Sequence, residues 1–444
     1  MLSCVHLAAK NYRLAVKCIF VQVGLLIGRS GNSGRSAVLV WLPTPHAPTA
    51  LQSVEDKLSK TQKRLQQDMQ LELAVESVVE HGVQVAAMLP GGVSVLGVYL
   101  YGPDAAFANA SRQMCLMLDG ITSGATTPAD KLLFISSKSR KLLCKQHSAG
   151  TANAAALHVC EFKLGPMLPN FSIMTCRYQA IITLPVLDNA HQLSTHVEAA
   201  IAAESQRIQQ SIGSIQGMPA SGTTLVQDMQ QPLVVELLSP PACCFAAEHR
   251  TTEEASVSGR VLLEGVLHGR AVVSKKDTLA AAVDFLKADL IGSLQARVDL
   301  LLAEADDLLS AGGTAALASS KPAMLTPPSS QPDAHITLRL PARVFFPVKQ
   351  VLSFSDYLAT GESFAEMSDR LQPLLASCVD LNQAEFPEGE HPSKQSATCV
   401  SKWDPRPKTG DAKGWLGSCS TATLVSTSLA VALAAGGVAF CALH

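Results

Sequence analysis

Between Gly414 and Leu443 the chain carries no Asp, Glu, Lys or Arg, and this uncharged run limits the available folds more than any other feature. Its last stretch, Leu424 to Leu443, would span about 30 Å as a helix, the thickness of a bilayer core. Leu424, Leu429, Leu433, Phe440 and Leu443 supply its apolar bulk. Ser426, Thr427 and Ser428 can return their hydroxyls to carbonyls one turn back, so they are tolerable in hydrocarbon. Trp415 sits where an interfacial aromatic belongs, and Lys402, Arg406, Lys408 and Lys413 precede the run as a cytosolic flank requires. A buried Ala-rich helix is the competing reading, and Gly436-Gly437 suits it. Length and flanking charge favour one carboxyl-terminal anchor with the body facing the cytosol.

The remaining chain is long enough for two or three folded units. It has 35 Lys and Arg against 37 Asp and Glu, so no basic field draws it to nucleic acid. Its 12 cysteines are too scattered for a secreted disulfide framework, which makes reduced thiols the expectation. Lys10, Arg13 and Lys17 interrupt what would be the apolar region of a secretory signal, and Leu2 stands where myristoylation needs glycine.

Cys18 to Gly28 and Ser36 to Leu42 are β-rich runs joined by Arg29-Ser-Gly-Asn-Ser-Gly34, a predicted hairpin. That loop opens a strand, whereas a phosphate cradle must open a helix. Leu51, Val54, Leu58, Leu65 and Met69 keep helical spacing, continued through Val75, Val78 and Val85 to a stop at Pro90-Gly-Gly92. Val93 to Tyr101 reads as a buried strand, Asp104 as the cap of a helix carrying Phe107, Met114 and Leu118, and residues 131–136 with 141–145 as a second hairpin. Met174, Cys176, Tyr178, Ala180, Ile182 and Leu184 alternate with polar residues, the mark of a half-buried strand closing the first unit.

A capping box at Thr195 and Glu198 opens the next helix, and strands are predicted over residues 233–238, 260–273 and 335–348. The clearest helix runs from Leu279 to Leu308, its apolar residues stepping by three or four opposite a polar side of Lys287, Asp289, Arg297 and Glu304. Residues 364–381 read as a last helix. The expected organisation is a front unit over 1–187, a second α/β unit over 188–381 with a flexible loop at 312–333, a polar stalk over 382–414, and the anchor over 415–444.

Chemistry-bearing clusters are sparse. His158-Val-Cys160 and Cys243-Cys244 with His249 lack the paired spacing of a structural zinc site. Glu80-His81 reverses the order of a zincin helix, and no Gly-x-Ser-x-Gly elbow occurs. No cofactor or metal is expected.

Gly24-Leu-Leu-Ile-Gly28, Glu80-His81, Met88-Leu-Pro-Gly-Gly92, Val95-Leu-Gly-Val98, Lys141-Leu-Leu-Cys144, Leu340-Pro-Ala-Arg-Val-Phe-Phe-Pro347, Asp356-Tyr357 and the terminal run occur in this order. Together they resemble the odorant response abnormal protein four (Odr-four-like) family along nearly the whole chain. The motif positions are Gly24, Gly28, Glu80, His81, Pro90, Gly91, Gly92, Gly97, Arg343, Phe345 and Pro347. The resemblance implies a tail-anchored protein of the endoplasmic reticulum membrane that helps multi-pass membrane receptors mature or reach their membrane. It also implies association with the protease that processes the ubiquitin-fold modifier, and a front domain of MPN (JAMM-type) fold.

An active MPN metalloprotease carries Gly-Trp-Tyr-His-Ser-His-Pro at the end of a strand and an Asp ligand in a following Ser-x-x-Asp. Here Gly97-Val-Tyr-Leu-Tyr-Gly-Pro103 puts Leu100 and Gly102 at the two His positions, and neither Ala110 to Gln113 nor Ser111 to Met114 supplies the Asp. Zinc catalysis needs three protein ligands and an open position. The expectation is therefore a pseudoenzyme adaptor, with a cysteine-dependent hydrolase and a purely structural membrane scaffold as alternatives.

Overall fold

The strands between Gln22 and Ser136 and the segment from Ala342 to Phe386 share one hydrophobic core, with a second sheet built in between. A computed structural model describes residues 4–7, 22–31, 35–45, 75–102, 104–125, 127–148, 157–166, 168–187, 193–220, 222–241, 257–311, 335–349, 351–359, 362–375 and 379–387. The anchor residues, the loop at 312–333, Cys243, Cys244 and His249, the early part of the first predicted helix and most of the stalk lie outside them.

The front unit is a closed seven-stranded barrel. Its strands are β1 (Cys4–Leu7), β2 (Gln22–Ser30), β3 (Arg35–Pro43), β4 (Ser94–Gly102), β5 (Lys131–Ser136), β6 (Leu142–Gln146) and β7 (His158–Leu164), ordered β1-β3-β2-β4-β5-β6-β7. The two predicted hairpins are β2–β3 and β5–β6. β1 closes the ring by pairing in parallel with both β3 and β7. Gly97 lets β4 and β5 approach, since a Cβ there would lie 1.8 Å from the Lys131 carbonyl oxygen. Period-two alternation gives β2 to β5 two apolar faces each. One set, including Leu26, Trp41, Tyr99 and Leu133, fills the lumen with Cys144 and Cys160 of β6 and β7. The other packs outward against α1 (residues 75–87) and α2 (Asp104–Gly124). Asp104 lies in the first turn of α2.

A six-stranded sheet follows, ordered β10-β9-β11-β8-β12-β13. Its strands are β8 (Phe171–Leu187), β9 (Ile212–Ile215), β10 (Met218–Pro219), β11 (Leu233–Leu238), β12 (Val257–Ser274) and β13 (His335–Arg339). The alternation expected to close the first unit is real: Met174, Cys176, Tyr178, Ala180, Ile182 and Leu184 are buried. Yet β8 lies at the centre of this second sheet, antiparallel to β12 along its whole length. Helices α3 (Leu193–Gln210) and α4 (Leu279–Ala311) cover one face. Thr195 is inside α3, which begins before it at Leu193, so Thr195 is no N-cap.

The strand predicted over 335–348 is two strands in different sheets. β13 pairs with β12 as far as Arg339, and Leu340-Pro341 then carries the chain back to the barrel. There β14 (Ala342–Lys349) and β15 (Leu352–Leu358) form a hairpin whose Val344, Phe346, Leu352, Phe354 and Leu358 join the core outside β2–β5. Helix α5 (Phe364–Leu375) covers it through Met367, Leu371 and Leu375. The fold is thus a mixed α+β architecture, and among the described residues no helix is long and apolar enough to cross a membrane.

Candidate functional site: a buried junction of motif residues

The motif segments far apart in sequence meet where the barrel abuts β12 and α4. β13 covers β12 only beside residues 260–264, leaving an edge free at its other end, and the Pro90-Gly-Gly92 turn fills it. Gly91 N–H donates to Arg270 O at 2.9 Å and Val272 N–H donates to Gly91 O at 2.9 Å. The approach admits only glycine: a Cβ on Gly91 would sit 2.2 Å from Phe285 O, and Gly92 has φ +77°. L-residues other than glycine rarely adopt that backbone.

Arg343 of β14 projects into this joint and grips Asp289 of α4 with both nitrogens, Nη1 to Oδ2 at 2.7 Å and Nη2 to Oδ1 at 2.9 Å. Nη1 also donates to His268 O at 3.2 Å, and Nη2 to Ser355 Oγ of β15 at 2.9 Å. Asp289 Oδ2 also accepts from the Arg270 backbone N–H at 2.9 Å. Side-chain exposures of 2% for Arg343 and 3% for Asp289 put the pair in a medium where geometry must be good to offset desolvation. The fork-to-fork match satisfies that requirement. Ser355 N–H donates to Met88 O at 2.9 Å, tying the end of α1 to the same knot.

Aromatic and ionic contacts extend the joint. The Arg270 guanidinium lies 3.8 Å from the Phe345 ring centroid and that of Arg343 lies 4.8 Å from it, distances at which cation–π attraction acts. Arg270 Nη2 pairs with Glu385 at 2.7 Å, and Glu385 exchanges backbone hydrogen bonds with Phe345 at 3.0 and 2.7 Å. Arg29, assigned to the hairpin loop by its sequence, is instead at the end of β2 and buried. It reaches Asp277 at 2.6 Å, donates to Val272 O and stacks 4.5 Å from the Phe285 ring centroid. Burial lowers its pKa, and the Asp277 charge opposes that shift.

The other motif residues have plain structural roles. Gly24 lies in β2 against Leu42, Tyr99 and Pro43, and Gly28 follows the register shift of β2 against β3, the shift against β4 falling between Leu26 and Ile27. Pro90 is buried beside the joint, and Pro347 pairs with Ser353 in the β14–β15 hairpin. Glu80 is exposed and accepts from Gln84 Nε2 at 3.2 Å. His81 is buried, with Nδ1 3.2 Å from Thr44 Oγ1 and Nε2 3.2 Å from Leu374 O. It fastens α1 to the end of β3 and to α5. Burial lowers its pKa, the Leu374 carbonyl acting in the other direction.

Leu100 is a buried core residue and Gly102 ends β4. On α2, Ser111 Oγ donates to Phe107 O at 2.7 Å. His158 is exposed at the start of β7, whereas Cys160, two residues on along the same strand face, is buried. Among the described residues no group of three or more His, Cys, Asp and Glu is placed to hold a metal ion. Sequence periodicity missed Lys287, Asp289 and Arg297 as interior groups. It set them on a polar side of α4, but they are 7%, 8% and 1% exposed. Lys287 donates to Gln209 O at 2.9 Å and Arg297 to Pro341 O at 3.0 Å. The helix is covered on more than one side: Lys287 and Arg297 satisfy carbonyls of its neighbours, and Asp289 accepts from the Arg343 guanidinium and the Arg270 N–H.

A barrel and a six-stranded sheet joined through a buried Arg–Asp fork form a two-part scaffold whose motif residues at the joint bond to β12, α4 and β15. A profile of the odorant response abnormal 4-like (ODR4-like) family matches residues 24–386, and the chain belongs to that family. It is 22% identical over 416 residues to the protein odr-4 homolog of Xenopus laevis, covering 85% of each chain. Against the protein odr-4 homolog of Homo sapiens it is 23% identical over 410 residues, covering 85% of this chain and 83% of that one. Among solved structures, it is similar to the crystal structure of UfSP from C. elegans, with 11% identity and a TM-score of 0.39 over 84% of this chain and 56% of that chain.

Proposed function

We propose that this protein is a non-catalytic, tail-anchored adaptor of the endoplasmic reticulum membrane. Its cytosolic body recruits the protease of the ubiquitin-fold modifier and assists the maturation and localisation of multi-pass receptors. The observation that carries this reading is the use made of the family's own residues: Gly91 bonds to β12, Arg343 to α4 and β15, and the Phe345 ring lies against Arg343, all in one buried joint. Such residues hold two surfaces in a fixed relation, which is what a recruiting scaffold needs. In an MPN-like barrel, Leu100 and Gly102 would stand where zinc-binding imidazoles are required, and neither can coordinate a metal. The barrel is then a docking unit and the apolar run from Gly414 its membrane tether.

The test is affinity purification of the tagged full-length chain from detergent-solubilised membranes. Recovery of the modifier protease in near-equal amount is the expected result. Multi-pass proteins recovered without that protease would leave a receptor scaffold and remove the modifier link. Hydrolysis of a modifier conjugate by the purified chain alone would overturn the non-catalytic assignment.

A further inference from the structure

The barrel lumen contains two thiols in a position that the joint does not use. Cys144 of β6 and Cys160 of β7 are direct partners across an antiparallel pair. Opposite residues in such a pair have Cα atoms about 4.5–5.5 Å apart, inside the range a disulfide spans. Both thiols are free and buried, with their sulfurs 3.5 Å apart and hydrogen-bonded. Lys131 lies on the same face of β5 as Leu133 and Ile135. It is 3% exposed, and its ammonium reaches Asp130 Oδ2 at 3.0 Å. The contact with the Cys144 sulfur lowers the pKa of Cys160 against the opposing effect of burial, and the Lys131 charge adds to the lowering. The same contact raises that of Cys144. One member of the pair is therefore set up as the nucleophile and the other as the thiol that resolves it.

The geometry points to a reversible redox site at Cys144 and Cys160, oxidised by hydrogen peroxide to a disulfide across the β6–β7 seam. The Cys160 thiolate attacks one peroxide oxygen. An S–O bond forms, the O–O bond breaks, and hydroxide leaves to take up the proton Cys160 had released. Cys144 then attacks the sulfenic sulfur. The S–S bond forms, the S–O bond breaks, and the departing hydroxide takes the Cys144 proton. Two thiols and one peroxide yield one disulfide and two waters, and a dithiol reductant reverses the change. β7 also pairs with β1 to close the ring, so the bond fixes the barrel beside its closing seam.

The test uses the purified full-length chain, treated with hydrogen peroxide, alkylated with N-ethylmaleimide and digested for mass spectrometry. Expected is a peptide pair joined through Cys144 and Cys160, two hydrogens lighter than its parts, lost with dithiothreitol. It should form at least about tenfold faster in the folded chain than in urea, where the preset geometry is gone. With Cys144→Ser, dimedone should trap sulfenic acid at Cys160, whereas Cys160→Ser should leave Cys144 unlabelled. Full alkylation of both residues after peroxide, or equal rates in folded and unfolded chain, overturns the proposal, and both outcomes are read on the unmutated protein.

Discussion

Removing one partner of the Arg343–Asp289 fork should cost more than removing both. Asp289→Leu leaves a guanidinium that is 2% exposed facing an apolar side chain, with Arg270 N–H also stripped of its acceptor. Breaking a buried pair in this way costs about 3–5 kcal/mol, a large share of a total stability of roughly 5–15 kcal/mol. Arg343→Met strands the Asp289 carboxylate and should cost a similar amount. In the double variant no charge is left unpaired. What remains lost are the hydrogen bonds to His268 O, Ser355 Oγ and Arg270 N–H, at about 1 kcal/mol each. The double variant should therefore lie about 2–3 kcal/mol below wild type, giving a coupling of about 3 kcal/mol or more between the two sites. Equilibrium urea denaturation of the full-length chain in mild detergent, followed by far-ultraviolet circular dichroism, measures all four corners of the cycle. Additive losses, or a cost under about 1 kcal/mol for either single change, would refute the view that this pair is desolvated and holds the joint.

Three further outcomes are expected. Gly91→Ala forces a Cβ to within 2.2 Å of Phe285 O and should cost about 3 kcal/mol or more, seen as a lowered urea midpoint; an unchanged midpoint would mean that the turn is not seated on β12. His81 has a lowered pKa in the fold, so its stabilising contribution is complete above its unfolded value of about 6.5 and is lost as the pH falls below that, at up to about 1.4 kcal/mol per pH unit. Comparing urea midpoints between pH 7.5 and 5.5 should show a shallower acid slope in His81→Gln. Deleting Leu424 to Leu443 should release the chain from carbonate-washed membranes, and retention there would remove the tether from the proposal.

The barrel hairpins, the alternation of β8 and the length of α4 were legible because each is a local period that survives in one dimension. The division into sheets was not. Alternation showed that β8 has one buried face, but nothing in residues 171–187 says which strands will flank it, and its partner β12 lies beyond α3. The apolar residues of 335–348 look continuous, and only Pro341 hints that the chain changes sheets inside them. The joint was half visible: the motif glycines and Arg343 stood out, while Asp289 read as an exposed position because helical spacing assumes one covered face. Arg29 was likewise hidden by its glycine and serine neighbours, although its partner Asp277 is far along the chain.

The return of β14, β15 and α5 to the barrel orders events during synthesis. The outer face of β2–β5 emerges from the ribosome first, yet the side chains that cover part of it, Val344, Phe346, Phe354 and Met367, are made only after the whole six-stranded sheet. The barrel must wait, partly uncovered, for a late segment to come back to it. Exposed apolar surface of this kind invites aggregation and chaperone attention. A chain cut anywhere between residues 165 and 341 would keep every barrel strand and still lack part of its cover, so such truncation products should be cleared rather than accumulate as a working half.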